Sequence, residues 1–290
     1  MSRRLDGQVV VVTGAGRGLG RAYALALAAE GASVVANDRD AEPVEALAAE
    51  ITSSGGRVVA VAEAVGTRAA ATRLVQTARD TFGRIDVMVT NAGADRRGPV
   101  LDLTDEDWEF TLGTHLLGSL FCSVEAGRAM RDQGGGGAII NITSDAFHQG
   151  VPTLAPYCVS KGGIYGLMRV LAAELAPFGI SVNAVAPPAT RTEPMLAFAE
   201  TLEVMGLTEE QMDALKASFQ DPEDIAPVVV YLASPEGRRL TGRVLGVTRR
   251  EVVSLEPPTA NRLGTCDPGP WTFDGLEAAL APLTAPAAPA

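Results

Sequence analysis

A run of four valines, in Gln8-Val9-Val10-Val11-Val12-Thr13, leads without a break into Gly14-Ala15-Gly16-Arg17-Gly18-Leu19-Gly20 and then into a helical stretch from Arg21 to Glu30. Consecutive β-branched residues with no polar alternation read as a strand buried on both faces, which is the habit of a parallel sheet. In the turn, Gly14 permits a tight bend, Gly18 lets the backbone approach a pyrophosphate and Gly20 lets the helix pack close, while the helix N-terminus faces the anion. Strand, glycine turn and helix in this order point to a dinucleotide site. The next strand, Ser33-Val34-Val35-Ala36-Asn37, ends at Asp38. A carboxylate there accepts hydrogen bonds from ribose hydroxyls and repels a 2′-phosphate, which favours NAD over NADP; the competing roles are a turn or cap for Asp38 and a phosphate contact for Arg39.

Beyond these two units, strands near Arg57–Ala62, Val87–Thr90, Ala138–Thr143, Ile180–Ala186 and Val244–Thr248 alternate with helices near Ala69–Phe82, Asp105–Met130 and Ala155–Phe178. The alternation predicts an α/β fold, a doubly wound parallel sheet of the Rossmann type. With 290 residues, 47% of them hydrophobic, the chain can bury a core large enough for a single domain. Gly134 to Gly137 reads as a flexible connector.

Tyr157 and Lys161, in Tyr157-Cys158-Val159-Ser160-Lys161, share one face of a helix, and Ser144 precedes them. A phenol of pKa about 10 is a poor base at neutral pH unless a cation stabilises its anion. A unit charge at roughly 4 Å in a dielectric near 20 supplies about 4 kcal/mol, enough to make the phenol usable. The spacing alone serves equally a packed ring with a solvated amine.

With Asn91-Ala92-Gly93 after the fourth strand and Asn141-Ile142-Thr143-Ser144 on the fifth, these motifs resemble the short-chain dehydrogenase/reductase family from about Leu5 to Val247. The resemblance implies Tyr157 as acid/base, Ser144 hydrogen-bonded to the substrate oxygen, and Lys161 lowering the tyrosine pKa and holding the nicotinamide ribose. It further implies a cofactor site of Thr13, Gly14, Gly16, Arg17, Gly18, Leu19, Gly20, Asp38, Asn91, Ala92, Gly93, Pro187 and Thr192 together with Tyr157 and Lys161. Phe147, His148, Val151 and Leu154 are then expected to line the substrate pocket, and residues 191–220 to form a lid. Related enzymes pair through the helices spanning Asp105–Met130 and Ala155–Phe178, so a homo-oligomer, dimer or tetramer, is expected. There Leu120, Phe121, Ile164 and Leu167 are either interface or core.

Three departures stand out. His115 occupies the place of the family's relay asparagine, which is similar to the hydroxyacyl-CoA dehydrogenase branch, as are Asn37-Asp38 and Pro222-Glu223-Asp224-Ile225-Ala226-Pro227. Its imidazole either joins the proton path, titrating near neutrality, or braces its helix. Ala64 stands where the family often has an aspartate near the adenine, and Pro188 replaces the glycine that follows Pro187 in the family motif, stiffening the way into the lid.

The functional expectation is an NAD-dependent oxidoreductase acting on a hydrophobic secondary alcohol or ketone. The alternatives are an epimerase- or lyase-like enzyme that retains the cofactor, and a nucleotide-binding protein without turnover. Arg96 and Arg97 either meet an anionic handle on the substrate or are solvated surface charge. A net charge of −11 disfavours nucleic acid and anionic membranes. No apolar run approaches the roughly 18 residues of a membrane span, which with the absence of a signal-peptide core suggests the cytoplasm. Cys122, Cys158 and Cys266 fit neither a disulfide framework nor a metal site. The catalytic domain is expected over residues 1–250, lid included. An unusual extension covers 251–290, with Trp271 and Phe273 anchoring it to a subunit, capping a pocket or packing locally, a helix near Leu276–Leu283 and a disordered Ala/Pro end.

Overall fold

The computed structural model describes residues 3–193, 195–196, 208–255, 262–263, 265 and 271–284. Much of the expected lid (194 and 197–207), Cys266 and the Ala/Pro end lie outside them. The chain divides into two compact units, Met1–Leu255 and Glu256–Ala290.

The first unit is an α/β sandwich whose elements follow the expected alternation: β1 (Val9–Thr13), α1 (Gly18–Ala29), β2 (Ser33–Asp38), α2 (Ala41–Ser53), β3 (Arg57–Ala62), α3 (Arg68–Phe82), β4 (Val87–Thr90), α4 (Asp105–Leu112), α5 (Gly118–Gln133), β5 (Gly137–Ile142), α6 (Ala146–Gln149), α7 (Ala155–Leu175), β6 (Ile180–Ala186), α8 (Glu209–Ser218), α9 (Pro222–Ala233), β7 (Val244–Val247) and β8 (Val252–Ser254). The sheet runs β3-β2-β1-β4-β5-β6-β7-β8. Pairings from β3 through β7 are parallel. Only β8 is antiparallel, joined to β7 as a hairpin. The second unit has one described helix, α10 (Phe273–Thr284), over the expected apolar segment.

Two cores flank the sheet, and the strands feed them alternately. Val10 and Val12 of β1 pack with Tyr23, Leu27, Ile140, Ile225 and Val229 on one face. Val9 and Val11 pack with Leu74, Met88, Ile139, Met168 and Val182 on the other. Each such buried side chain contributes about 1.5–3 kcal/mol relative to exposure, which is why the central strands read as unbroken apolar runs. Phe121 and Leu167 pack partly against this core within one chain, and Ile164 is fully buried.

Helix starts are set by caps. Thr67 accepts from the Ala70 amide, Thr104 and Asp107 form a reciprocal capping box, and the Asp224 side chain accepts from the Asp221 amide. Three details depart from the expected elements. The helix expected over Asp105–Met130 is divided by a π-turn, Gly113–Leu117, which widens the helix around His115. The α-helix expected to reach Phe178 stops at Leu175, and a 3₁₀ turn containing Pro177 finishes it, because proline removes the amide an α-helix needs there. Finally, Val252–Ser254 completes the sheet, and the first unit runs past the expected boundary at residue 250 to Leu255.

Candidate active site

The chain leaves β1 toward β2 on one side and β4 lies on the other, so the crevice at the carboxyl ends of β1 and β4 is the topological switch point where ligands bind in such sheets. A cavity of about 1130 Å³ opens there, lined by Gly14, Arg17, Gly18 and Leu19 of the turn, Asp38 to Asp40 after β2, Glu63 to Thr67 after β3, and Asn91 to Asp95 after β4.

The turn is built around close approaches. A Cβ on Gly14 would lie 2.7 Å from Ala92 Cα, and one on Gly20 would lie 2.0 Å from the Gly14 carbonyl oxygen. Asn91 fixes the same turn, Nδ2 donating to the carbonyls of Thr13 (3.0 Å) and Gly14 (3.1 Å). Thr13 Oγ1 in return accepts from the amides of Asn91 and Ala92. Gly16 donates its amide to Asp38 Oδ2 at 2.9 Å and so orients that carboxylate. Thr192 stands over the turn, its Cγ2 3.0 Å from where a Gly18 Cβ would be, and lines the cavity. Pro187 is half-buried after β6 and does not line the cavity. A glycine cradle this tight beside a carboxylate at the end of β2 fits a dinucleotide.

Ser144 follows β5, Tyr157 and Lys161 come from α7, and His115 comes from the π-turn; the structure brings all four together. Lys161 is buried, donates from Nζ to the Ile142 carbonyl at 2.8 Å, and lies 5.3 Å from the centre of the Tyr157 ring. Its pKa is pushed down to about 8 by burial, with Asp95 acting in the opposite direction. The Tyr157 phenol is pushed up to about 12, first by burial and then by the carboxylates of Asp95 and Asp145, while a hydrogen bond with Ser144 pulls it down. This is opposite in sign to the expected effect of Lys161: the ammonium is directed at a carbonyl, and desolvation of the phenolate dominates. Ser144 Oγ also donates to Asp145 Oδ1 at 3.3 Å and accepts from the Ala146 amide.

His115 is 5% exposed and meets the Tyr157 ring edge-on, with 5.3 Å between ring centres. Neither ring nitrogen has a hydrogen-bond partner among the described residues. Burial, and secondarily Lys161, hold its pKa well below the ordinary 6.5, so the imidazole is neutral where free histidine would titrate.

The segment between Ser144 and Tyr157 behaves differently from expectation. Phe147 stacks on Tyr165 at 4.8 Å and touches His148 edge-on, while Val151 and Leu154 are half-buried. None of these four lines the cavity, and neither do Ser144, Tyr157, Lys161 and His115; Thr153 does, with a left-handed φ of 66° that is costly for a β-branched residue. Its carbonyl accepts from the Gly98 amide, tying this segment to the loop after β4. In that loop Arg96 lies over the Phe110 ring and Arg97 pairs with Asp95 at 2.7 Å. Sequence reasoning missed Asp95, Asp145 and Thr153. The first two adjoin recognised motifs, but no spacing rule announces that a carboxylate will face a phenol across the cleft. Ala64 lies among the cavity residues. No cluster able to hold a metal and no helix long and apolar enough to cross a membrane occurs among the described residues.

Residues 8–202 match a family model described as short chain dehydrogenase. The short-chain reductase protein NovJ of Streptomyces niveus is 40% identical over 242 residues, covering 82% of this chain and 92% of that protein. D-threitol dehydrogenase of Mycolicibacterium smegmatis is 37% identical over 248 residues, covering 82% and 90%. A crystal structure of a short chain dehydrogenase from Mycobacterium avium superposes with a TM-score of 0.83 at 34% identity, covering 97% of this chain and 95% of that one.

Proposed function

Because the chain belongs to the short-chain dehydrogenase/reductase family of oxidoreductases, we propose that it interconverts a hydrophobic secondary alcohol and the corresponding ketone with NAD(H), Tyr157 serving as acid/base. The observation that carries this reading is the grouping of Ser144, half-buried Tyr157 and buried Lys161 beside a glycine-built cleft. A nicotinamide bound in that cleft supplies or takes up the hydride.

The chain's own residues handle the proton and the geometry. With its phenol pushed up to about 12, Tyr157 keeps its proton at neutral pH and is set to give it to a carbonyl oxygen. Ser144 donates to the same oxygen once its hydroxyl turns from Asp145. Lys161 holds the ribose and stands next in line for the proton. His115, neutral and with two unengaged nitrogens, can accept at one and donate at the other, which suits it to pass protons on through water. Asp38, oriented by Gly16, supports NAD as the cofactor. Exposed Leu117, Val159 and Val170 on the π-turn and α7 support a homo-oligomer assembled through these elements.

The test is absorbance at the reduced-nicotinamide band with NAD(H), using hydrophobic ketones and alcohols beside polyols, since one relative is named for D-threitol. We expect hydrophobic ketones to be reduced fastest. Cofactor binding with no absorbance change across the whole panel refutes the redox reading, and a preference for polyols refutes the substrate class.

A further inference from the structure

Asp40 occupies the N-cap of α2 yet caps nothing: its side chain accepts no hydrogen bond from the helix. An N-cap aspartate ordinarily accepts from the amide two or three residues on. The third residue here is Pro43, which has no N–H to give. The carboxylate pairs instead with two arginines, Oδ2 lying 3.4 Å from Arg17 Nη2 and Oδ1 lying 3.5 Å from Arg39 Nε. Its backbone amide donates to Asp38 Oδ1 at 3.2 Å, which fixes Asp40 to the carboxylate that faces the ribose. Arg17, Asp38, Arg39 and Asp40 all line the cavity. Two guanidiniums therefore stand beside the expected ribose site, and one carboxylate engages both.

We propose that Asp40 is a specificity-determining residue that keeps Arg17 and Arg39 from serving as a 2′-phosphate site. Rejection of NADP(H) then has two sources: Asp38 repels the phosphate, and Asp40 occupies the cations that would otherwise accept it. All three side chains are at least 40% exposed, so the clamp acts through occupancy and direction rather than through a strong bond. The inference rests on the reading of the cleft as an NAD site.

The experiment is a fluorescence titration of NADH and NADPH into wild type, Asp40→Asn, and Asp40→Asn combined with Arg17→Ala and Arg39→Ala. In Asp40→Asn we expect NADPH to gain about tenfold over NADH, with NADH itself changed by less than about threefold. Removing both arginines should abolish the gain. Asp40→Ser, a second uncharged N-cap residue, guards against a folding defect peculiar to one variant. A ratio in Asp40→Asn and Asp40→Ser within about threefold of wild type, or a gain that survives loss of both arginines, overturns the clamp. Wild-type preference for NADPH fails the NAD reading alone, because the clamp is judged by the change on substitution. Binding of neither nucleotide to wild type overturns both.

Discussion

Gly93 and His115 face each other so closely that a methyl on Gly93 would lie 2.0 Å from Cε1 and 2.4 Å from Nδ1 of the imidazole. The motif after β4 thus has a second task besides shaping the cleft: its glycine leaves the space into which the π-turn delivers the histidine. Gly93→Ala must push the ring off Tyr157 or move the loop, and overpacking of this kind costs about 1–3 kcal/mol. We expect Gly93→Ala to lose most turnover and stability, and Gly93→Ala with His115→Ala to regain stability but not turnover. A double-mutant cycle by denaturant melts reads the coupling, and additive losses would show that the two do not share the space.

Tyr157→Phe keeps the ring against His115 and removes the transferable proton. Turnover should fall by about 10²–10⁴ while cofactor affinity stays within a few-fold. Retention of more than about a tenth of wild-type turnover would remove Tyr157 from the acid/base role.

His115 should leave no imidazole limb in the rate profile between about pH 6.5 and 9, because its folded pKa lies well below 6.5. His115→Ala should lower turnover by roughly tenfold, and His115→Asn, which restores an amide donor and acceptor, should recover most of it. The linkage has a definite sign. A histidine with a depressed folded pKa contributes stability above its unfolded value, lost as the pH falls below about 6.5. Acid melts of His115→Asn should therefore be flatter than wild type, and identical melts would contradict the depressed pKa.

Lys161 is kept at a cost. Its folded pKa of about 8 lies below the ordinary 10.5, a difference worth about 3 kcal/mol. Below pH 8 both folded and unfolded chains hold the proton and the burial penalty is complete; it fades as pH rises from about 8 to 10.5, where the unfolded chain binds more protons. Lys161→Met forfeits the bond to the Ile142 carbonyl, worth about 1 kcal/mol, yet should still stabilise the protein by about 1–2 kcal/mol at pH 7 while abolishing turnover. The gain should vanish near pH 10; a less stable variant at pH 7 would refute the penalty.

The fold was largely legible because its strongest signals are local. β1, β4, β5 and β6 are apolar runs, and the glycine turn, Asp38, Ser144, Tyr157 and Lys161 sit at fixed offsets within or next to single elements. What escaped depends on meetings across the chain. The pattern from Asp105 to Met130 is helical throughout, so nothing in it marks the π-turn at Gly113–Leu117. Phe147 reads as a pocket residue until Tyr165, far along α7, is found stacked against it. The rise in the Tyr157 pKa needs burial depth and the carboxylates of Asp95 and Asp145, none of which the spacing of tyrosine and lysine conveys.

The short hairpin partner of β7 bears on how the end of the sheet is closed. Along the outer flank of β7, Leu255 donates to the Val244 carbonyl at 2.9 Å and Thr248 to the Glu251 carbonyl at 2.8 Å, and between them Val253 faces and covers Gly246, where a Cβ would lie only 2.8 Å from its Cγ2. A flank of unpaired strand invites a strand from another molecule. β8 is itself the end strand but only three residues long, too short to template much pairing, so a chain cut after residue 250, which bares β7, should self-associate on warming more readily than one cut after Leu255, a contrast visible by turbidity; the short strand acts as the selvedge of the sheet.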